Sequence, residues 1–405
     1  MSNFANIGIR DGANLDAFSR LRVSSPNYLF DAQLTYDLQP LLYEQIASGT
    51  GATVTYDSTN RCATMTFSST PSGGKSYMQS YEWIPYQPGR SQLAFITFNM
   101  LGGVANTLKF AGLGDDTNGI RLELNGTTLQ ASIYSGTGAT NTVAQSSWNL
   151  DKMDGTGRSG VTIDMSKTQI LVIDYQALYV GRVRLGFDIG GNILYFHEFT
   201  HANNLAVPYI QIASLPIRVG MTCTGTVSTT MRFICASVMS EGGSLGDNGF
   251  SYAATGSGTA GNNTAAHILS VRPITLFNSV TNRSKFILQS IDTYISGNTA
   301  VRFDLVLGQA ISGTTTFTSV NSSYSSMESN TAGTISGSPA ITLLSVFNPS
   351  GTSSKSSSTR SINQRAPITL DAAGAVRANG TLSVIATGLG ATSACQASLN
   401  WLEVR

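Results

Sequence analysis

Residues 168–203 read TQILVIDYQALYVGRVRLGFDIGGNILYFHEFTHAN. Val183, Leu185, Phe187 and Ile189 alternate with Arg184, Gly186 and Asp188, the period of a half-buried strand. Gly190-Gly191-Asn192 supplies a turn in which positive φ costs little. Residues 193–199 resume as a strand dense in large side chains. The stretch predicts the core of an all-β domain. It also contains His197-Glu198-Phe199-Thr200-His201, which matches the H-E-x-x-H pattern of zinc hydrolases. That chemistry needs both histidines on one helix face, about 6 Å apart. In a strand, residues four apart share a face but lie roughly 13 Å apart, too far to hold one ion. The sequence favours the strand, and His267, the third histidine, is far along the chain. A zinc hydrolase is therefore the remote alternative, and two incidental histidines at a strand end the expected reading.

Working outward, the rest of the chain has the same character. Strand patterns recur every 8–12 residues with turn signals between them, as in a sandwich or jelly roll. The clearest hairpin is 120–133, where Ile120, Leu122 and Leu124 precede Asn125-Gly126, a strong type I′ signal. Further strands are expected at 76–84, 92–100, 161–164, 209–212, 217–222 and 231–238. Residues 1–35 read as an N-terminal arm, with Asn14 or Asp16 capping one short helical turn. Residues 36–240 read as the first β-sandwich domain. Residues 241–265 (EGGSLGDNGFSYAATGSGTAGNNTA) read by composition as a Gly/Ser linker. Residues 266–405 read as a second β-sandwich domain, with strands at 285–296, 301–307, 341–347, 368–370, 382–387 and a terminal strand at 397–404. Residues 350–358 (SGTSSKSSS) are expected to be an exposed loop tip.

Of 405 residues only 12% are charged, and 24 basic against 23 acidic side chains give a net charge of +1. That balance argues against a general nucleic-acid binder. No apolar run reaches the roughly 18 residues of a membrane span, and the N-terminus lacks the layout of a secretory signal. Synthesis in the cytoplasm is expected. Cys62, Cys223, Cys235 and Cys395 are scattered without a C-x-x-C, so buried free thiols are expected. No nucleophile elbow accompanies the histidines. Asp151-x-x-Asp154-Gly155 lacks the alternating ligands of a calcium loop and reads as a turn built on aspartate side chains. Tyr86, Trp148 and Tyr252 are candidates for stacking on sugars, weighed against core positions. Gly256–Gly261 fits G-x-G-x-x-G without the strand and helix a dinucleotide site needs. No catalytic residue, cofactor or metal ligand is assigned.

Seven segments together resemble a family of tailed-bacteriophage virion structural proteins. They are ANLDAFSRLRVSSPNYLFDAQ (13–33), MQSYEWIPYQPGRSQLAFITFN (78–99), SSWNLDKMDGTGRSG (146–160), GRVRLGFDIGGNILYFHEFTHAN (181–203), SLPIRVGM (214–221), FNSVTNRSKFILQSI (277–291) and ASLNWLEVR (397–405). The resemblance implies a virion part without catalysis: a capsid decoration or head fibre, or a tail or fibre component. It implies a homo-oligomer, expected to be a trimer, with other capsid or tail proteins as partners and a host surface glycan as a further candidate. In the family the histidine segment belongs to the β framework. Ser19 stands where the family commonly has glycine, which weakens a case for positive φ in that turn. Asp16, Phe18, Arg20 and Arg22 are the candidate virion-anchoring residues, the two arginines reaching acidic groups.

Overall fold

The computed structural model describes every residue except 1–13, 24, 137–138, 213, 243–248, 338–340, 351–355 and 366–367. The chain is all-β, with a single 3-10 turn at Gln145–Ser147 among the described residues. No helix among them is long and apolar enough to cross a membrane. Two compact units form, Met1–Ser244 and Leu245–Arg405.

Among the described residues the first unit contains fifteen strands: β1 Asn27–Gln33, β2 Tyr43–Ser48, β3 Ala52–Asp57, β4 Cys62–Thr70, β5 Lys75–Pro85, β6 Ser91–Asn99, β7 Thr107–Gly114, β8 Gly119–Asn125, β9 Thr128–Tyr134, β10 Ala139–Ala144, β11 Gln169–Gln176, β12 Val183–Ile189, β13 Asn192–Phe199, β14 Ser214–Cys223 and β15 Val227–Ser240. One sheet runs β13-β12-β11-β6-β15-β4-β3, with β1 also on β15, and the other runs β10-β9-β8-β7-β14-β5-β2. Strand β15 is long enough to serve two partners on one edge: β4 pairs with its first half and β1 with its second. The sheets pack face to face through large side chains. The Tyr43 ring of the second sheet lies edge-on to both Phe30 and Phe233 of the first, at 5.7 and 5.5 Å. Phe98, Leu171, Ile173, Leu185 and Phe187 fill the same layer with no exposure. Each such side chain contributes about 1.5–3 kcal/mol of burial.

The two predicted tight turns are present. Asn125 pairs with Thr128 across Gly126, whose φ is +58°, and Gly190-Gly191 joins β12 to β13 with φ of +62° and +83°. Other expectations are corrected. Residues 161–164 make only the bridge Asp154↔Thr162, and 209–212 and 368–370 form no strand. The aspartates of 151–154 have enough local N–H donors to make turns: Asp151 accepts from the Met153 and Ser159 amides and Asp154 from that of Thr156. The arm of 1–35 is not free along its length, because β1 lies within it.

The 241–265 linker is also corrected. Phe250–Asn262 is a 13-residue strand paired with Ser393–Val404 from Phe250↔Glu403 to Ala260↔Ser393. Its small residues serve close packing. A β-carbon at Gly256 would stand 2.0 Å from the Ile268 carbonyl oxygen of the neighbouring strand Ala265–Pro273. The terminal strand Ser393–Val404 is held on both edges, the second by Lys285–Ile295. That strand pairs in turn with Ser356–Arg365, so 356–358 belong to a strand and not to the expected loop tip, of which 351–355 lie outside the described residues. Trp401 is fully buried, and the buried Glu403 beside it accepts from Trp401 Nε1 at 2.9 Å and Ser325 Oγ at 2.6 Å.

Candidate functional site

Two polar clusters stand on the outer faces of the first unit's sheets. The first gathers the predicted anchoring residues. Strands β11 and β12 place Asp174 directly opposite Arg184, both buried, and Arg184 Nη2 reaches Asp174 Oδ2 at 2.5 Å. Segment 14–23 lies across this pair. Arg22 Nη2 donates to the same carboxylate at 2.5 Å and Arg22 Nη1 meets Glu241 at 2.9 Å. Tyr195 Oη and Ser91 Oγ donate to Asp174 at 2.7 and 3.0 Å. The segment's backbone is held too. The Leu15 carbonyl accepts from Arg22 Nε and Arg184 Nη2, the Ala17 carbonyl from Gln176 and Arg182, and the Ala17 amide donates to Ser91. Arg20 pairs with Asp16 at 2.7 Å and Arg182 with Glu198 at 3.5 Å. Four arginines thus face four carboxylates. Burial lifts the Glu241 carboxyl above its usual range, with Arg22 pulling it back.

The short helical turn expected after a cap at Asn14 or Asp16 is absent among the described residues. Asp16 Oδ1 instead accepts from the Phe18 and Arg20 amides, an aspartate turn closed by the bridge Leu15↔Leu21. Ser19 sits at φ +60° in that turn, so a left-handed position is used here by a residue other than glycine. Of the four predicted residues, Asp16 and Arg22 are engaged inside their own unit. Phe18 is half-buried under the Arg20 guanidinium, 4.8 Å from its ring centre, and the Arg20 side chain remains 54% exposed. Leu21 and Val23 are exposed beside them, lining a shallow pocket with Asp16, Arg20, Arg22 and Glu241.

The H-E-x-x-H residues lie at the end of β13, as the strand reading expected. His197 Nδ1 accepts from the Asn149 amide at 3.3 Å, and burial pulls its pKa down to about 4. His201 lies beyond the strand, stacked on Tyr209 at 4.1 Å with Nδ1 2.7 Å from the Gly181 carbonyl oxygen. Among the described residues no group of three or more His, Cys, Asp or Glu side chains is arranged to hold a metal. Tyr86 and Trp148, weighed as sugar-stacking residues, are buried: Tyr86 bonds Tyr209 at 2.7 Å and Trp148 stacks on Phe196 at 3.9 Å.

The second cluster was missed by sequence reasoning. On the outer face of the other sheet, register aligns Ser132, Arg121, Gly112, Arg218 and Gln79 in one row across β9, β8, β7, β14 and β5. Arg218 bonds Gln79 and Asp116 and lies 4.6 Å from the Tyr77 ring centre. Arg121 lies 5.1 Å from the Phe110 ring centre on one neighbouring strand and 4.6 Å from that of Tyr134 on the other. Glu123, two residues on, is occupied elsewhere, accepting from Gln130, Ser132 and Tyr134 at 2.9, 2.7 and 2.7 Å. Arg121 is only 5% exposed, and its Nε and Nη2 have no hydrogen-bond partner among the described residues. Burial lowers its pKa first, the neighbouring Arg218 second. The sequence signal was the alternation Arg121/Glu123 inside a strong hairpin, which reads equally well as a solvated face.

No family model matches this chain, and no curated protein does. Similar solved structures include a protein of unknown function from Shewanella oneidensis MR-1, 10% identical, covering 56% of this chain and 90% of that one at a TM-score of 0.36. A Bacillus licheniformis β-glucanase is 12% identical over 53% of this chain and 98% of its own, TM-score 0.34. A conserved carbohydrate esterase of Shiga toxin-encoding bacteriophage phi24B is 14% identical over 53% and 99%, TM-score 0.33.

Proposed function

We propose that this chain is a non-enzymatic structural component of a bacteriophage virion. It self-associates, as a trimer, and attaches to the particle as a capsid decoration, head fibre or tail component. The observation that carries the reading is the Asp174 cluster. Two of the segments behind the resemblance, 13–33 and 181–203, meet there through Arg22, Arg184 and Tyr195. Residues that could otherwise suggest chemistry are spent on fixing the N-terminal segment to the sheet. Phe18, Arg20, Leu21 and Val23 are left at the surface and form the proposed attachment patch. Particles lacking the protein, incubated with purified chain, are expected to bind it, and Leu21→Glu with Val23→Glu is expected to abolish binding without changing the unfolding midpoint. Monomeric protein that ignores such particles would refute the reading. Electron microscopy of labelled particles then separates head from tail.

A second reading, a module that binds a host surface glycan, is favoured by Arg121 and Arg218 of the row together with the neighbouring rings of Tyr134 and Tyr77, which set guanidinium groups beside aromatic faces. A glycan array probed with the whole chain tests it, and silence across the array would remove it.

A further inference from the structure

We propose that a groove along β15, on the outer face of the first sheet, binds a neutral hexose unit; the class of ligand rests on the glycan-binding reading. The groove follows from side-chain length. Register sets two rows of outward residues across β1, β15 and β6: Asp31, Ser237 and Phe95 in one, Gln33, Cys235 and Thr97 in the other. Between them Ala32, Ala236 and Ile96 point the other way and are buried. The middle strand carries short side chains, and the longest, Asp31, Gln33 and Phe95, stand on the flanking strands. The result is a trough of about 420 Å³ over Ser237 and Cys235. That lies within the range of small-ligand sites, about 300–1,000 Å³. Tyr28, opposite Met239 and past an irregularity in the ladder, stands at one end. Asp31 and Gln33 are exposed and Phe95, Thr97, Cys235 and Ser237 half-buried, so walls and floor are both reached from solvent.

The lining narrows the ligand. Among the described residues no lysine, arginine or histidine lines the groove, so it offers no cation to an anion. It offers a carboxylate at Asp31, an amide at Gln33, hydroxyls at Ser237 and Thr97, and the rings of Tyr28 and Phe95. None of those four polar side chains makes a hydrogen bond among the described residues. A wholly apolar ligand would strip water from them and replace none of its bonds, at about 1–3 kcal/mol for each group. An ammonium group would use Asp31 and leave the amide and hydroxyls unused. A hexose answers both kinds of surface. Its C–H face lies on an aromatic ring, and its hydroxyls donate to the Asp31 carboxylate and exchange bonds with the amide and hydroxyls. Bonds to the ionised carboxylate are the strongest of these, so Asp31 carries the largest share.

Cys235 makes the groove readable, because it is half-buried in the floor whereas Cys62, Cys223 and Cys395 are buried. The test is alkylation of the full chain by iodoacetamide, followed at Cys235 by peptide mass spectrometry. It is run with and without maltotriose, cellotriose or galactotriose, alongside calorimetric titration of each. The proposal expects at least one trisaccharide to bind and to slow alkylation with occupancy, about tenfold at ten times its Kd. Asp31→Ala should weaken that binding about tenfold or more. A trisaccharide that binds without slowing alkylation, and equally well to Asp31→Ala, would overturn the groove assignment and leave the glycan reading standing. Nα-acetyl-lysine amide protecting Cys235 as well as the saccharide does would overturn the sugar assignment. If none of the three binds, the hexose proposal falls, and the glycan array decides the broader reading by itself. If Cys235 proves unreactive, the affinity of Asp31→Ala decides; if that variant does not fold, alkylation of the unaltered chain decides.

Discussion

The Asp174 cluster and the Arg121 row sit on opposite sheets of the same unit and use the same residue types, yet they are built in opposite ways. Around Asp174 every arginine meets a carboxylate, and the segment that closes the site belongs to the chain itself. Around Arg121 the Glu123 carboxylate is taken up by Gln130, Ser132 and Tyr134, and Arg121 Nε and Nη2 have no hydrogen-bond acceptor among the described residues. Buried charge in which each guanidinium reaches a carboxylate holds structure.

Substitutions should split along that line. Asp174→Asn leaves Arg184 and Arg22 facing each other without their shared anion, and should cost about 3–5 kcal/mol in denaturant unfolding. Arg22→Ala removes charge-assisted bonds to Asp174 and Glu241 at a less buried site and should cost about 1–3 kcal/mol. It should also expose segment 14–23 to proteolysis ahead of the rest of the unit. A smaller effect concerns pH. His197 is held neutral, with its folded pKa near 4 against 6.5 in the unfolded chain. Its contribution is complete above pH 6.5, declines as the pH falls from there to about 4, and is constant below. His197→Gln should flatten that part of the stability profile, read as unfolding midpoint against pH. The smallest effect belongs to Glu198→Gln. Glu198 makes a partly exposed pair with Arg182 at 3.5 Å, so a change within about 0.5 kcal/mol is expected, with no change in zinc content by elemental analysis.

The sequence made the framework of the first sheet legible because its strands alternate large apolar side chains with polar ones, and because Asn125-Gly126 and Gly190-Gly191 mark their turns. It hid strands whose inward residues are small. Ala254, Gly256 and Ala260 face inward on Phe250–Asn262, and composition alone turned them into a linker. Strand β1 was hidden for another reason: its partner β15 lies about 200 residues away, and pairing at that distance leaves no local mark. Within the candidate sites, Arg22 was legible as a cation seeking an acid, though not that the acids were its own Asp174 and Glu241. Arg121 was not legible, since alternation fixes which face a residue takes but not how that face is covered.

The most direct measurement is equilibrium unfolding of Arg121→Met beside Asp174→Asn in the full chain. If the two clusters differ in kind, removing Arg121 leaves stability within about 1 kcal/mol of the unaltered protein, or raises it, because an unmatched buried charge has been replaced by an apolar side chain. A loss as large as that of Asp174→Asn would contradict the account, and would make Arg121 a structural residue like Arg184.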